Sequence, residues 1–289
     1  MEVARFAWVL NLDADLELAR PNAYCPSKGV LAAMRAHRET LRASLLGRDD
    51  LLIDESTRAG IANECIGRAF CPTPRAIALL SKAGATIEPH PTVEVLSLVN
   101  SRGFAWQLGQ TLPHALFTTD LHTAVECLKT DPTIGDHWRI KRSFGMAGRG
   151  QRVLPPGEPS AAEIAVLRAA IREGGVQIEP NVSIVHEVAI HGRLTSNGAL
   201  ELGRLVAQQC DRHGAWLRTE PADATGQDDR MADQARLVGL ALHEHGYWGP
   251  FGVDAYEYRD KHGARHFQPR SEINARYSMG FAVGFPRIV

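Results

Sequence analysis

Apolar residues in the first part of the chain alternate between strand-like and helix-like spacing. The pattern predicts, in order, a strand at 6–12, a helix at 27–46, a strand at 51–54 and a helix at 72–82. Ser27 is a candidate N-cap for the first helix, and Gly84 is a stop signal after the second. Alternating strands and helices are typical of α/β structure, so we expect a small N-terminal α/β domain over residues 1–92.

After residue 92 the pattern changes from alternation to pairs of consecutive strands. It predicts helices at 93–108, 121–128, 160–172 and 229–245, and strands at 138–142, 151–154, 176–182, 184–191, 200–209, 251–258 and 265–274. Asn197 and Gly198 form a dipeptide typical of a hairpin turn. We therefore expect a mixed α/β and α+β protein, with a second domain at 93–289 that contains antiparallel sheets.

Composition narrows the class of protein without identifying an activity. The 289 residues are 44% hydrophobic and 22% charged, and 32 Lys and Arg nearly balance 33 Asp and Glu, so nothing global favours a nucleic-acid or membrane partner. No apolar run approaches the roughly 18 residues of a membrane span, and the N-terminus is a poor signal peptide. Five scattered cysteines without a CxxC spacing favour a reduced, cytoplasmic protein. A homodimer is compatible with the sequence, but no feature of it argues for one.

The first candidate site is a basic, glycine-rich segment at 141–150. Lys141 and Arg149 supply positive charge, and Gly145 and Gly148 give a backbone that can approach phosphates closely. The segment matches neither a Walker P-loop nor a GxGxxG fingerprint. Taken alone, it could equally be a surface hairpin with a flexible tip.

The second candidate is the extended segment at 176–182 with the acidic residue that follows it. Backbone groups near Gln177, Glu179 and Val182 could pair with the edge of an adenine ring, and Glu187 could accept hydrogen bonds from ribose hydroxyls. Taken alone, the segment favours the alternative, which is a plain strand with a solvated glutamate.

The third candidate is the closing strand pair. Glu272 and Asn274 are two residues apart, so on a strand they point to one face. If Asp254 lies opposite Glu272 in an antiparallel pair, the connection is centred on Gly263, which suits a turn. Two carboxylates and an amide oxygen on one face suit a hard divalent cation such as Mg²⁺.

Two further features bear on this strand pair. Pro269 cannot donate to a sheet ladder, so it implies an edge position or a bulge nearby. The alternative interpretation of Glu272 is a surface carboxylate paired with Arg270 or Arg276. That alternative is weaker, because polar residues on both sides of an apolar Ile273 are costly unless a ligand satisfies them.

Taken in order, these segments resemble the ATP-grasp superfamily over residues 93–289. The segment at 141–150 is similar to that family's flexible phosphate-covering loop, 177–180 to its adenine-binding hinge, and Glu187 to its ribose carboxylate. Asp254 with the Glu272-x-Asn274 motif resembles its metal ligands. Arg276 is similar to an arginine that touches phosphate or a substrate carboxylate in that family. Residues 1–92 resemble its small N-terminal domain in pattern.

The resemblance implies roles for individual residues. It implies phosphoryl stabilisation by Lys141, Arg149 and Arg276, and a metal site of Asp254, Glu272 and Asn274. It implies ATP contacts from Arg102, Lys141, Gly145, Gly148, Gln177, Glu179, Val182 and Glu187. Arg102 departs from the family pattern, which has a lysine as its first phosphate contact, and the two cations differ in geometry.

The resemblance also implies an activity and its partners. It implies an ATP- and Mg²⁺-dependent ligase, with Mn²⁺ as the alternative ion, that joins a small-molecule or peptide carboxylate to an amine or a thiol through an acylphosphate and releases ADP and phosphate. Two other functions stay open at this point. One is a kinase on the same scaffold, and the other is a nucleotide-binding regulator without chemistry.

Overall fold

The structure, a computed structural model, describes residues 5–109, 112–146, 148–211, 214–223 and 226–285, without the side chains of Met146 and Arg149. The first part of the chain forms a three-stranded parallel sheet in the order β2-β1-β3. Its elements are β1 (Phe6–Val9), α1 (Ala14–Leu18), α2 (Lys28–Leu45), β2 (Leu51–Leu52), β3 (Ile66–Ala69) and α3 (Pro74–Ala83). The middle strand β1 buries Ala7, Trp8 and Val9. This is the predicted α/β pattern.

The helix signals in this region act as predicted. The Ser27 hydroxyl accepts a hydrogen bond from the Val30 amide at the start of α2. Gly84 ends α3 with a φ of 88°, a conformation that favours glycine. The strand β3 was not predicted from the sequence, because its four residues, Ile-Gly-Arg-Ala, show no clear alternation; it forms by pairing with β1 along its whole length.

The single helix predicted at 93–108 is wrong, because the chain forms two helices there. These are α4 (Val93–Val99) and α5 (Arg102–Gln107). The Ser101 hydroxyl caps α5 by accepting from the Phe104 amide at 3.1 Å. The Asn100 side chain accepts from the Ala275 amide at 2.8 Å, which ties the break between the helices to the end of the chain's last strand.

A four-stranded antiparallel sheet follows, in the order β4-β7-β5-β6. Its strands and helices are β4 (Leu116–Thr118), α6 (Leu121–Lys129), β5 (Trp138–Met146), β6 (Arg149–Leu154), α7 (Ala161–Arg172) and β7 (Val176–Pro180). Apolar residues of α6 and α7, among them Leu128 and Leu167, pack with Trp138 and Ile178 into one core. The glycine-rich segment is more regular than predicted, since Gly145 lies within β5 and Gly148, with a φ of 73°, stands at the turn.

The largest sheet has six strands in the order β11-β10-β8-β12-β13, with β9 paired to β8. Its elements are β8 (Ser183–Leu194), β9 (Leu200–Leu202), β10 (Val206–Cys210), β11 (Trp216–Pro221), α8 (Asp228–Glu244), β12 (Gly249–Arg259), β13 (Arg265–Asn274) and α9 (Phe281–Gly284). Buried residues of α8, including Met231 and Val238, pack with Phe251 and Val253 of β12. Among the described residues, no helix is long and apolar enough to cross a membrane.

One strand in this sheet differs from the prediction, and another was not predicted. The strand predicted at 200–209 is two strands, because the chain breaks pairing at Gly203, whose amide bonds to the His191 carbonyl at 2.8 Å. A Cβ at Gly203 would lie 2.6 Å from the Gly284 carbonyl oxygen, so the close approach requires glycine. The strand β11 contains exposed polar residues and lacks an apolar face in the sequence. The mixed α/β and antiparallel architecture predicted for the chain is confirmed.

Candidate active site

A cavity of about 790 Å³ is bounded by residues of both antiparallel sheets and of the N-terminal region. It brings together most of the residues that the sequence predicted to contact ATP or metal: Arg102, Lys141, Gly145, Gly148, Glu179, Val182, Glu187, Asp254, Glu272, Asn274 and Arg276. Two residues predicted to contact ATP or phosphate are not among these lining residues. The Arg149 side chain lies outside the described part of the chain, and Gln177 is not among the lining residues.

The closing strands place both candidate metal carboxylates side by side. Asp254 of β12 pairs directly with Glu272 of β13, and Gly252 pairs with Asn274. The connection turns at Gly263, which has a φ of 84°. The register shifts between Asp254 and Tyr256, which is the irregularity that the nearby proline predicted. The pairing on which the metal-site prediction depended is therefore present.

Asp254 is partly buried and accepts hydrogen bonds from two amides. The Gln208 side chain donates to Oδ1 and the Asn274 side chain to Oδ2, each at 2.9 Å. Burial, and next the charge of Glu272, raise the pKa of Asp254 to about 7. A divalent cation bound here would offset the repulsion between the partly buried Asp254 carboxylate and the neighbouring Glu272 carboxylate. Asn274 uses its NH₂ group on Asp254, which leaves its carbonyl oxygen for a cation.

This donor set fits a hard cation better than a soft one. Among the described residues, no group of three or more His, Cys, Asp and Glu side chains is placed to hold a metal, so the site depends on two carboxylates and an amide. Oxygen ligands of this kind suit Mg²⁺ or Mn²⁺.

Glu272 pairs with Arg102, not with Arg270 or Arg276, so the surface-carboxylate alternative named the wrong partners. The Arg102 NH2 group lies 3.0 Å from Glu272 Oε1, and its Nε donates to the Arg142 carbonyl at 3.1 Å. Arg102 is 8% exposed, and Glu272 remains more accessible, with 42% of its side chain exposed. Arg102 therefore links α5 to strands of both antiparallel sheets.

Lys141 and Glu179 form a buried ion pair across β5 and β7. Lys141 Nζ lies 2.5 Å from Glu179 Oε1, and Gln177 donates to the other oxygen of the same carboxylate at 2.6 Å. Burial lowers the pKa of Lys141, and Glu179 opposes that effect. The Gln177 side chain thus helps to position Glu179, and the contact between Gln177 and a nucleotide stays a prediction.

Pairing within the sheet limits where an adenine edge could bind. The strand β7 pairs with β5 along its length and with β4 only as far as Ile178. Backbone groups of β7 on the β4 side are therefore left for a ligand only beyond Ile178, towards Val182. Ile184 and Val185 line the same part of the cavity with 44% and 42% of their surfaces exposed, so they offer apolar contact to a flat ring.

Glu187 also lines the cavity. It stands on β8 between Gln208 of β10 and Tyr256 of β12. Burial and a hydrogen bond to Glu187 raise the pKa of the Cys210 thiol, so this thiol is protonated at neutral pH. The position of Glu187 is compatible with the predicted contact to ribose.

Arg276 is held by a residue that sequence reasoning missed. Its guanidinium makes two hydrogen bonds to Asp15, at 3.0 and 2.6 Å, and Asp15 lies in α1 and lines the cavity. The available signal was position: Asp15 follows the first parallel strand closely, and ligand sites in such sheets gather beyond the carboxyl ends of the strands. Gln208 was also missed, because nothing in its sequence context distinguishes it.

Comparison with known proteins identifies the fold. No protein-family model matches the sequence, and no curated protein matches it. Among solved structures, N5-carboxyaminoimidazole synthetase from Staphylococcus aureus complexed with ADP has a TM-score of 0.52 and 14% identity, and the match covers 95% of this chain and 70% of that one. D-alanyl-alanine synthetase A from Vibrio cholerae has a TM-score of 0.52 and 11% identity, with 98% and 92% covered. The chain therefore has the ATP-grasp fold that its sequence motifs implied.

Proposed function

We propose that this protein is an ATP-dependent ligase that activates a carboxylate as an acylphosphate and couples it to an amine. One observation carries the proposal: two adjacent carboxylates, Asp254 and Glu272, face a cavity that also contains Lys141, Arg102 and Arg276. A paired acidic site beside several cations suits a metal-bound polyphosphate. The ATP-grasp fold supports the same conclusion.

The cavity residues divide into those for metal and those for phosphate. Asp254, Glu272 and Asn274 would hold Mg²⁺, which when bound offsets charge on phosphate oxygens. The Lys141 ammonium has three N–H donors and uses one on Glu179 Oε1, so two remain for phosphate oxygens. Arg276, fixed by Asp15, would stabilise the charge that develops on the transferring group.

The proposed reaction has two balanced steps. An oxygen of the substrate carboxylate forms a bond to the γ-phosphorus, the bond from that phosphorus to the bridging oxygen breaks, and ADP leaves. The amine nitrogen then attacks the acyl carbon, phosphate leaves with the bonding electron pair, and the nitrogen loses a proton. No protein side chain is the covalent nucleophile. The β5–β6 hairpin beside the cavity would exclude water, because an exposed acylphosphate hydrolyses.

The remaining assignments follow from this proposal. We place the N-terminal domain at residues 1–92 and the ATP-binding region at 93–289, because the parallel sheet uses strands up to Ala69 and the antiparallel sheets begin at Leu116. We expect small-molecule or peptide acid and amine substrates. All five cysteines are free, which fits the reducing cytoplasm that the sequence favours.

The test is a screen of acids and amines for ATP-dependent ADP release, followed by mass measurement of the product. Glu272→Gln should lower turnover by about 10²-fold or more, an order typical of removing one preorganised charge. Glu201→Gln, on the exposed face of β9, is the matched control and should leave turnover unchanged. Turnover of Glu272→Gln close to that of the unmodified protein would refute the metal assignment.

The same screen separates the alternative functions. An amide whose formation requires both an acid and an amine supports the ligase. A stable phosphoester would identify a kinase instead. ATP binding without ADP release in any substrate mixture would identify a regulator.

A further inference from the structure

Beyond Arg276 the cavity continues into a region with a different wall. Five side chains that we call the apolar chamber line it: Leu12, His37, Phe70, Trp216 and Met279. They come from five separate parts of the chain, namely the segments after β1, β3 and β13, the helix α2, and the edge strand β11. Because these segments are far apart in sequence, the fold itself forms the chamber, where the N-terminal region meets the six-stranded sheet.

Contacts fix the aromatic members of the chamber. Phe70 is 3% exposed, and its carbonyl accepts from the Tyr277 amide at 3.0 Å. The Arg276 guanidinium lies 5.5 Å from the centre of the Phe70 ring. The Trp216 ring meets the His37 ring edge-on, with centroids 5.6 Å apart. Backbone pairing and ring contacts therefore give this wall a defined shape.

Three polar groups at the chamber are already engaged, whereas the Ser278 hydroxyl, which lines the cavity beside Met279, has no hydrogen-bond partner among the described residues. The Trp216 indole N–H donates to the Thr219 hydroxyl at 2.8 Å. Asp211 Oδ1 accepts from the Ala215 amide at 2.9 Å, and Asp15 is bound to Arg276 through both oxygens. What the chamber offers a ligand is mainly the ring and thioether surface of its members. Such surface gains from removing apolar area from water and not from binding charge.

We infer that the acid activated at this site carries a bulky apolar or aromatic group, which the apolar chamber binds while the carboxylate lies beside Arg276. The inference rests on the proposed function and adds the class of the acid. Arg276 stands between the metal ligands and Phe70, so a carboxylate placed at its guanidinium directs the rest of the molecule towards the chamber.

The first experiment measures how the reaction depends on the apolar length of the acid. Hydroxylamine serves as the amine, and acyl hydroxamate and ADP are followed for acetate, butyrate, hexanoate and 3-phenylpropanoate. We expect kcat/KM to rise about fourfold for each added methylene up to the size of the chamber, which corresponds to ~0.8 kcal/mol. Equal kcat/KM for acetate and hexanoate, with hydroxamate formed from both, would overturn the inference and leave the proposed function intact.

A pair of neighbouring variants locates the effect. Trp216→Ala should lower kcat/KM for hexanoate and 3-phenylpropanoate about tenfold or more, chiefly through KM, and leave that for acetate unchanged. Leu217 follows it on β11 and is 58% exposed, so Leu217→Ala is the matched control and should change neither. Equal losses for all acids in Trp216→Ala would mean that the chamber does not select the acid, and would overturn the inference.

A binding measurement distinguishes failure of the chamber from failure of the proposed reaction. Calorimetry of the same acids is performed with the unmodified protein, Mg²⁺ and a non-hydrolysable ATP analogue. Tighter binding of hexanoate than of acetate, with no ADP release from any acid, would refute the ligase and retain the chamber as a binding site. Binding that is independent of apolar length would overturn the inference whatever the outcome of the Trp216→Ala experiment.

Discussion

The Asp254 carboxyl should make the stability of the metal-free protein depend on pH in an unusual direction. Its pKa is raised from 3.8 to about 7, first by burial and next by Glu272. A carboxyl that binds its proton more tightly in the folded protein than in the unfolded chain contributes its full stability below pH 3.8. It loses that contribution as the pH rises through about 7.

The size of the effect follows from the two pKa values. At about 1.36 kcal/mol for each pH unit, the difference amounts to about 4 kcal/mol between pH 4 and pH 8. Asp254→Asn removes the titration while keeping the shape of the side chain. Two amides, from Gln208 and Asn274, donate to Asp254, so one of them must reorient to present its oxygen to the new NH₂ group. The variant should therefore have a pH profile without the Asp254 contribution.

The measurement is urea unfolding in EDTA from pH 5 to 8.5, for the unmodified protein and Asp254→Asn. The difference between their free energies of unfolding should move in favour of the variant as the pH rises. Mn²⁺ binding, followed by electron paramagnetic resonance, should be about tenfold weaker at pH 6 than at pH 8 in the unmodified protein, because one proton competes with the ion. A difference in unfolding free energy that stays constant across this range would refute the raised pKa.

Three further predictions concern contacts around the cavity. Lys141→Met should lower the free energy of unfolding, measured with urea, by about 3–5 kcal/mol, because it leaves Glu179 buried without its cation. The double variant Lys141→Met/Glu179→Gln should recover most of that stability. It should not recover the ATP binding that Lys141→Met loses. Asn100→Ala should lower the free energy of unfolding by about 1–3 kcal/mol in the same assay and weaken Mn²⁺ binding, because the Ala275 amide loses its acceptor beside Asn274, a proposed metal ligand. Arg102→Lys should weaken ATP binding, measured by calorimetry, about tenfold, since an ammonium cannot reproduce the guanidinium's geometry.

Much of the site could be predicted because its chemistry is local in sequence. Glu272 and Asn274 share a face through strand periodicity alone. Arg259 pairs with Arg265 beside the turn, so counting from the turn alone would place Arg270 opposite Asp254. The bulge between Asp254 and Tyr256 shifts the register by two residues and places Glu272 there instead. Pro269 indicated the bulge because proline lacks an N–H. These inferences need only backbone geometry, which local sequence contains.

The errors arose where distant contacts determine local structure. The helix break at Asn100 depends on an amide 175 residues later. The edge strand β11 has an ordinary polar pattern and is a strand because β10 pairs with it. The hydrogen bond from the Gln177 side chain to Glu179 likewise has no signal in the sequence. Hydrophobic periodicity and motif spacing do not predict which distant residues will form such contacts.

Arg102 shows how a departure from a sequence pattern can be explained once its partners are known. A lysine ammonium has three donors, whereas a guanidinium has five in a fixed plane. Arg102 uses two of its nitrogens on the Arg142 carbonyl and on Glu272, which connects the four-stranded and six-stranded sheets at the cavity. Donors remain for a phosphate oxygen. If Glu272 is a metal ligand as we propose, an arginine at this position can bind phosphate and hold that carboxylate at once. This double role would be a physical reason for the arginine, which the sequence pattern alone left unexplained.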